Sequence, residues 1–182
     1  VQLFFPKMEL DSLEILVENE TYSKSFTSKL KNLKESDSLK IDAKTQGTLS
    51  FREQFILKSS TPIISIDNSK ITLRNKDSVA VNFTSNYDDF NQEISFDFKK
   101  EEEQKYTLEI LPEAFTDFYE TKNDSLQFDV RTKLISDYGN LKVNLSGAKR
   151  FPLILEILDE KGDVMYSKIS QKETALIFET IE

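Results

Sequence analysis

The stretch NDSLQFDV, residues 123–130, decides how the chain is expected to fold. Its opening Asn-Asp-Ser favours a turn, because Asp and Ser side chains hydrogen-bond nearby backbone groups. The apolar residues Leu126, Phe128 and Val130 then alternate with polar ones, which is the period of a half-buried strand. The stretch therefore predicts a turn followed by a strand with one buried face.

The same Asp-Ser-aliphatic phrase opens three other alternating stretches. They are LDSLEILV from Leu10, SDSLKIDA from Ser36 and KDSVAVNF from Lys76. Their separations along the chain are irregular, which excludes a solenoid or a propeller built from equal repeats. Each copy is predicted to be a turn that leads into a strand.

Alternating stretches also occur between these phrases. EISFDFKK, residues 93–100, and KYTLEIL, residues 105–111, flank a short polar run and are predicted to form a hairpin. FPLILEIL and VMYSKIS flank a turn in which Gly162 can take a positive φ, which predicts a second hairpin. Short strands separated by polar turns are typical of all-β sandwiches.

Two segments do not alternate clearly. PEAFTDFY, residues 112–119, begins with Pro at a position compatible with the first turn of a helix, so one or two helical turns are expected there. SFTSKLKNLKES, residues 25–36, fits either a helix or a strand followed by a crossing loop. The predicted fold is thus all-β, in tandem β-sandwich modules with at most one short helix. The expected modules are a β-rich partial sandwich at 1–53, a sandwich at 54–132 and a third at 133–182.

Composition narrows the possible functions. The 182 residues include 14 Phe, which supply enough large apolar side chains for packed cores. The net charge of −8 repels phosphate backbones, so nucleic-acid binding is not expected. No run approaches the roughly 20 apolar residues that cross a bilayer, so no segment of this sequence is expected to span a membrane.

The residue types that are missing from the sequence argue against an enzyme. The chain has no His and no Cys, so it cannot form a Ser-His or Cys-His nucleophile system or a typical zinc site. Its acidic groups, such as Asp88-Asp89, fall in predicted turns, which seldom provide the burial that a catalytic carboxylate needs. No catalytic, cofactor or metal residue is predicted. Calcium held by Asp159, Glu160 and Asp163 remains an alternative, although no EF-hand pattern is present.

Residues 61–132 resemble a bacterial Ig-like domain. The resemblance rests on Ile71 and Leu73 in an I-x-L strand, on Tyr-Thr-Leu at 106–108 before Pro112, and on the closing F-x-V-x-T at 128–132. The Asp-Tyr-Gly-x-Leu segment at 137–141 is similar to the start of the next module in multi-domain Ig-like surface lipoproteins of the Bacteroidota. There it leads into a transthyretin-like β-sandwich.

This resemblance implies an interior-to-C-terminal fragment of a cell-envelope lipoprotein at the outer-membrane surface or in the periplasm. It also implies that the protein attaches to the membrane only through an anchor outside this fragment. The transthyretin-like module would end before its expected last strand. The implied role is a non-enzymatic structural or docking module whose partners are other envelope proteins. A glycan-binding or adhesin module, and an accessory domain of a hydrolase outside this fragment, are the alternatives.

Several aromatic residues are candidates for specific roles. Tyr106 is expected to be a buried corner tyrosine that bonds to the backbone, as in Ig-like sandwiches. A glycan-binding groove would need exposed tyrosines, with Tyr87, Tyr119 and Tyr138 as candidates. Four Phe residues that break the strand alternation are expected to be exposed interface anchors: Phe4, Phe5, Phe115 and Phe118.

The four Asp-Ser-aliphatic triplets also resemble the acceptor signal for protein O-glycosylation in Bacteroidota envelope proteins. The candidate acceptors are Ser12, Ser38, Ser78 and Ser125. A turn followed by an inward aliphatic residue produces the same triplet without any modification, so both interpretations stay open.

Overall fold

The computed structural model describes residues 3–6, 10–29 and 39–181. The regular structure of these ranges is β-sheet, accompanied by two three-residue 3-10 turns at Asn68–Lys70 and Ile135–Asp137. The all-β prediction is confirmed. The one or two helical turns expected at 112–119 are not formed, and a short strand occupies part of that segment.

The N-terminal described region is a single hairpin. Strands β1 (Ser12–Asn19) and β2 (Tyr22–Lys29) pair antiparallel, with Ile15 opposite Phe26. The side chain of Asn19 accepts a 3.0 Å hydrogen bond from the Thr21 N–H and so closes the turn. Of the segment 25–36, residues up to Lys29 are therefore strand, and residues 30–36 lie outside the described ranges.

The central module is a sandwich of two four-stranded sheets. One sheet has the order β3-β5-β9-β8, and the other has the order β4-β12-β10-β7. If β6 and β11 are left out and β3 and β4 are lettered A and A′, the remaining strands are B to G in chain order. The two orders are then A-B-E-D and A′-G-F-C, the strand order of an immunoglobulin-type sandwich. The strands of the module are β3 (Ile41–Ala43), β4 (Gly47–Thr48), β5 (Phe55–Ser59), β6 (Ile63–Ile66), β7 (Ile71–Arg74), β8 (Phe83–Asp88), β9 (Glu93–Phe98), β10 (Lys105–Ile110), β11 (Phe115–Asp117) and β12 (Leu126–Arg131).

The prediction that residues 93–100 and 105–111 form a hairpin is wrong. β9 pairs with β5 and β8, whereas β10 pairs with β12 and β7 in the opposite sheet. Both strands nevertheless turn their alternating apolar residues toward the same core, as their sequences predict. Alternation identifies the buried face of a strand and leaves its partner open.

The strand predicted to begin at Val79 begins later in the structure. Val79 is 58% exposed in the connection between β7 and β8, and β8 starts at Phe83. Ser78 has a φ of 61°, which is a turn conformation and not a strand conformation. At NDSLQFDV, by contrast, β12 starts at Leu126 directly after the turn.

The boundary expected between residues 53 and 54 is crossed by the strand pairing. β3 pairs antiparallel with β5, and β4 pairs parallel with β12. Leu39, Ile41 and Leu49 are buried in the same core as the later strands. Residues 39–53 therefore belong to the central sandwich. β12 ends at Arg131, next to the second expected boundary between residues 132 and 133.

A single apolar cluster fills the space between the two sheets. Phe96 and Leu108 are completely buried in it, while Phe128 packs against it half-buried. The remaining buried members are Leu39, Ile41, Leu49, Phe55, Leu57, Ile63, Ile71, Leu73, Ile94, Phe98, Tyr106, Ile110, Ala114, Phe115 and Val130.

The C-terminal region consists of two antiparallel strand pairs. Strands β13 (Gly139–Asn144) and β16 (Ala175–Ile181) form one pair, and β14 (Leu153–Leu158) and β15 (Val164–Ser170) form the other. The predicted hairpin of β14 and β15 is confirmed, with Gly162 at a φ of 89° in its turn. Phe178 is buried, and the Lys168 ammonium lies 5.6 Å from the centre of its ring.

Candidate interaction surface

Three connections meet at one end of the central sandwich, here called the loop end. They are residues 60–70 after β5, residues 89–92 after β8, and residues 111–125 after β10. Hydrogen bonds join them. The Phe118 N–H donates to the Pro62 carbonyl at 2.8 Å. Ser59, the last residue of β5, donates its N–H to the Gln92 carbonyl at 3.0 Å and its hydroxyl to the Thr61 carbonyl at 2.7 Å. The loop end is therefore one connected surface.

Asp117 organises the longest of these connections. Its carboxylate is buried and accepts hydrogen bonds from the Thr61 hydroxyl at 2.6 Å, the Tyr119 N–H at 2.9 Å and the Thr121 N–H at 2.8 Å. A buried carboxylate needs such donors to offset its lost hydration. The bonds fix the turn that carries Phe118 and Tyr119.

Asn123 holds the base of the same connection. Its side-chain oxygen accepts a 2.7 Å bond from the Phe115 N–H, and its amide donates to the carbonyls of Leu111 at 3.0 Å and Asp124 at 2.7 Å. The residue is only 2% exposed. The first of these bonds gives the backbone N–H of the buried Phe115 its acceptor.

The first connection is fixed from two sides. β6 within it pairs antiparallel with β11, with a register shift between Thr116 and Asp117. The Ile63 N–H also donates a 2.8 Å hydrogen bond to the phenolic oxygen of Tyr87 on β8. The loop end is thus supported by strand pairing and by side-chain bonds, and its exposed residues stand on a fixed backbone.

Large apolar side chains project from this backbone into solvent. Phe90 is 91% exposed and Ile64 is 61% exposed, while Phe118 and Tyr119 are exposed and meet edge to face with ring centres 5.3 Å apart. Phe90 stands on a turn in which the Asp88 carboxylate accepts bonds from the Asn91 amide at 2.7 Å and the Asn91 N–H at 3.0 Å. These bonds hold the pKa of Asp88 below its usual value.

The predicted interface anchors have different outcomes. Phe118 lies at the loop end and is exposed, as expected, and Phe4 and Phe5 are half-buried. The prediction for Phe115 is wrong, because this side chain is completely buried in the core of the sandwich. The reason is that β11 pairs with β6, which turns Phe115 inward beside Ala114.

The candidate glycosylation residues are Ser12, Ser78 and Ser125, which are exposed, and Ser38, which lies outside the described residues. Ser12 is the first residue of β1, and Ser125 directly precedes β12. The exposure of these hydroxyls leaves room for a glycan and does not itself indicate one.

The tyrosines expected in a glycan-binding groove do not meet in one groove. Tyr87 supports the backbone at Ile63, and Tyr138 is buried with its ring edge to face with Phe51. An open groove of about 820 Å³ near the opposite end has no tyrosine in its lining. Its lining residues are Lys44, Thr45, Gln46, Thr48, Phe51, Arg52, Glu53, Gln54, Ile56, Asp97 and Lys100.

The described ranges contain no group of three acidic side chains arranged to hold a metal ion. In the candidate calcium loop, the Asp159 carboxylate accepts bonds from the Lys161 N–H at 2.8 Å and the Asp163 N–H at 2.9 Å. These are the bonds of a turn closed by an Asp side chain. None of the helical elements in the described ranges has the length and apolar character of a bilayer-crossing helix.

Sequence reasoning did not identify Phe90, Asp117 or Asn123 as important. Phe90 carried a usable signal, because it is a lone aromatic residue in the otherwise polar turn DDFNQ. The residues around Asp117 and Asn123 are those of an ordinary solvated loop, so the local sequence does not indicate that these two side chains are buried. Their burial depends on contacts made across the sandwich and has no local pattern.

No family model matches the sequence, and no curated protein matches it.

Proposed function

We propose that the chain is a non-enzymatic docking module of a cell-envelope lipoprotein, and that the loop end is its docking surface. The envelope location and the upstream anchor rest on the resemblance of residues 61–132 to bacterial Ig-like domains. Other envelope proteins are the proposed partners, in a larger assembly associated with the outer membrane.

One observation carries the proposal: large apolar side chains are exposed on a backbone that side-chain hydrogen bonds and strand pairing hold in place. Phe90 and Ile64 are the extreme cases, at 91% and 61% exposure. A loop whose backbone is fixed before binding loses little conformational entropy in a complex, and aromatic side chains often dominate the binding energy of interfaces. Loops fixed by a rigid sandwich are a common site of recognition.

The glycan-binding alternative has less support. Sugar recognition needs aromatic faces next to several polar donors in a shared groove, and the candidate tyrosines Tyr87 and Tyr138 are engaged in internal contacts. Tyr119 alone remains exposed among the three candidates.

Site-specific photocrosslinking tests the docking surface. A photoreactive benzoylphenylalanine at position 90 is expected to trap one discrete partner in the envelope of a Bacteroidota host that expresses the full-length protein. The matched control places the same group at Val79, which is also exposed but lies in the connection at the opposite end of the sandwich. The product from position 90 should disappear when Ile64 and Phe118 are both changed to Ser. Equal products from positions 90 and 79, or none from position 90, would contradict the proposal.

We also propose O-glycosylation of at least one Asp-Ser-aliphatic triplet. The support is the exposure of Ser12, Ser78 and Ser125 in or beside turns, where a bulky glycan is tolerated. The intact mass of natively expressed protein is expected to exceed that of the bare chain, and single Ser→Ala changes should remove the excess stepwise. A native mass equal to the bare chain would refute the modification.

A further inference from the structure

The connections that carry the exposed apolar residues of the loop end contain more acidic than basic residues. The three connections, residues 60–70, 89–92 and 111–125, contain six acidic and two basic residues. Half of the net charge of −8 is therefore carried by these segments. This concentration is local to the surface that also exposes Phe90.

Both basic residues of these connections are already neutralised. The ammonium groups of Lys70 and Lys122 lie 3.8 and 3.2 Å from the carboxylate of Glu113. The hydrogen bond from Lys122, and the charges of Lys122 and Lys70, lower the pKa of Glu113 and keep it ionised. Neither lysine is left to balance the acids that stand beside the apolar side chains.

Those acids adjoin the apolar residues in the chain. Asp88 and Asp89 directly precede Phe90, and Glu120 directly follows Tyr119. Within the described part of the chain, none of these three carboxylates forms an ion pair with Lys or Arg. A partner that covers Phe90 and Tyr119 must also approach these carboxylates and remove part of their hydration.

The geometry points to a partner of defined chemistry: a protein segment or surface that offers an apolar side chain or pocket flanked by Lys or Arg. Basic groups beside the apolar contact compensate the carboxylates as water leaves, whereas a neutral or acidic rim leaves them desolvated and unpaired. An anionic bilayer would be repelled by the same charges. This inference rests on the proposed docking function of the loop end and adds the chemistry of its partner.

Panning a random 12-residue peptide library, displayed on phage, against the intact chain tests the inference. Selected peptides are expected to be enriched in Lys or Arg next to an aromatic or aliphatic residue. Their synthetic forms should bind at least about tenfold more weakly to the Phe90→Ser variant. Asp89→Lys, and an increase of salt from 50 to 500 mM, should each weaken binding about fivefold or more, because both remove the electrostatic attraction.

Matched controls come from the connection at the opposite end of the sandwich. Val79→Ser and Asp77→Lys make the same kinds of change at exposed residues there and should leave binding unchanged. If peptides bind equally to wild type and to Phe90→Ser, or if no peptide is selected, the loop end is not a docking surface. That result overturns the proposed function and this inference together.

A different result overturns the inference alone. This result would be peptides that lack basic residues and whose binding depends on Phe90 but is insensitive to salt and to Asp89→Lys. The proposal that the loop end is a docking surface would then stand, and the inference of a basic partner would be refuted. Binding of the chain to phosphatidylserine vesicles, lost in Phe90→Ser, would assign the surface to a membrane and refute the inference as well.

Discussion

The backbone N–H of Glu101 donates a 2.7 Å hydrogen bond to the phenolic oxygen of Tyr106, five residues later in the chain. The ring of Tyr106 is buried at the start of β10 and packs edge to face with Phe98, with ring centres 4.9 Å apart. The bond therefore clamps the connection through which the chain passes from one sheet to the other. This is the corner tyrosine that the sequence predicts.

Removing the hydroxyl of Tyr106 is expected to destabilise the sandwich. Tyr106→Phe keeps the ring but leaves the Glu101 N–H without its acceptor, which should lower the free energy of unfolding by ~1–3 kcal/mol. Urea denaturation measures this change. Tyr119→Phe is the control, because that side chain is exposed and the loss of its hydroxyl should leave the free energy of unfolding unchanged. Equal stabilities of the two variants would contradict a role for the bond.

Asn123 is expected to be more important than an ordinary loop asparagine. Asn123→Ala leaves the buried Phe115 N–H unpaired and should cost ~1–3 kcal/mol of stability. Asn82→Ala, at an exposed position, should change stability by less than ~0.5 kcal/mol. Thermal or urea unfolding of the two variants provides the comparison, and an equal effect at both positions would refute the argument.

Truncations in the core should follow burial and not residue size. Leu108→Ala is expected to cost ~2–5 kcal/mol and Phe96→Ala ~3–5 kcal/mol, since both side chains are completely buried. Phe128→Ala should cost less than Phe96→Ala, because Phe128 is half-buried on β12. A larger loss of stability in Phe128→Ala than in Phe96→Ala would contradict this dependence on burial.

The C-terminal region should lose stability in acid through Glu173. Its carboxylate accepts bonds from the Gln171 N–H at 2.9 Å, the Lys172 N–H at 3.2 Å and the Ser170 hydroxyl at 3.1 Å. Bonds from backbone N–H groups, including its own, and from Ser170 lower the pKa of Glu173 to about 2.

Because the folded pKa lies below the unfolded one, this stabilisation is present above pH ~4.5 and is lost as the pH falls toward 2. An NMR titration of the carboxyl group should give a midpoint near 2. Glu173→Gln should flatten the fall of stability between pH 4.5 and 2. A carboxyl that titrates above pH 4 would show that these bonds do not persist in solution.

The contrast between β9 and β10 illustrates what can be predicted from this sequence. The alternation of Phe96 and Leu108 correctly assigns both to inward faces, because burial on a sheet repeats every second residue. It cannot place the two strands in different sheets, since a strand's partner is chosen by contacts distant in sequence. For the same reason the assignment of residues 39–53 to the sandwich was missed.

Phe115 shows the converse problem. Locally, Pro112 and the following residues suit a helical start, and an aromatic residue there looks exposed. In the structure the Phe115 N–H donates to the side-chain oxygen of the buried Asn123, and β11, which contains Phe115, pairs with β6. These tertiary hydrogen bonds override the local preference for a helical turn after Pro112. The sequence near Phe115 therefore does not predict which aromatic residues are exposed at the loop end.

The parallel pairing of β4 with β12 has a mechanical consequence. The chain enters the sandwich near Leu39 at the loop end, and β12 leaves it at the opposite end. A pull on the two ends of the module therefore drags β4 and β12 in opposite directions along their length. The hydrogen bonds between these strands, which include the 2.8 Å bond from the Leu49 N–H to the Arg131 carbonyl, are loaded together in shear. They are not broken one after another. This arrangement of strands opposes extension of the module along its axis.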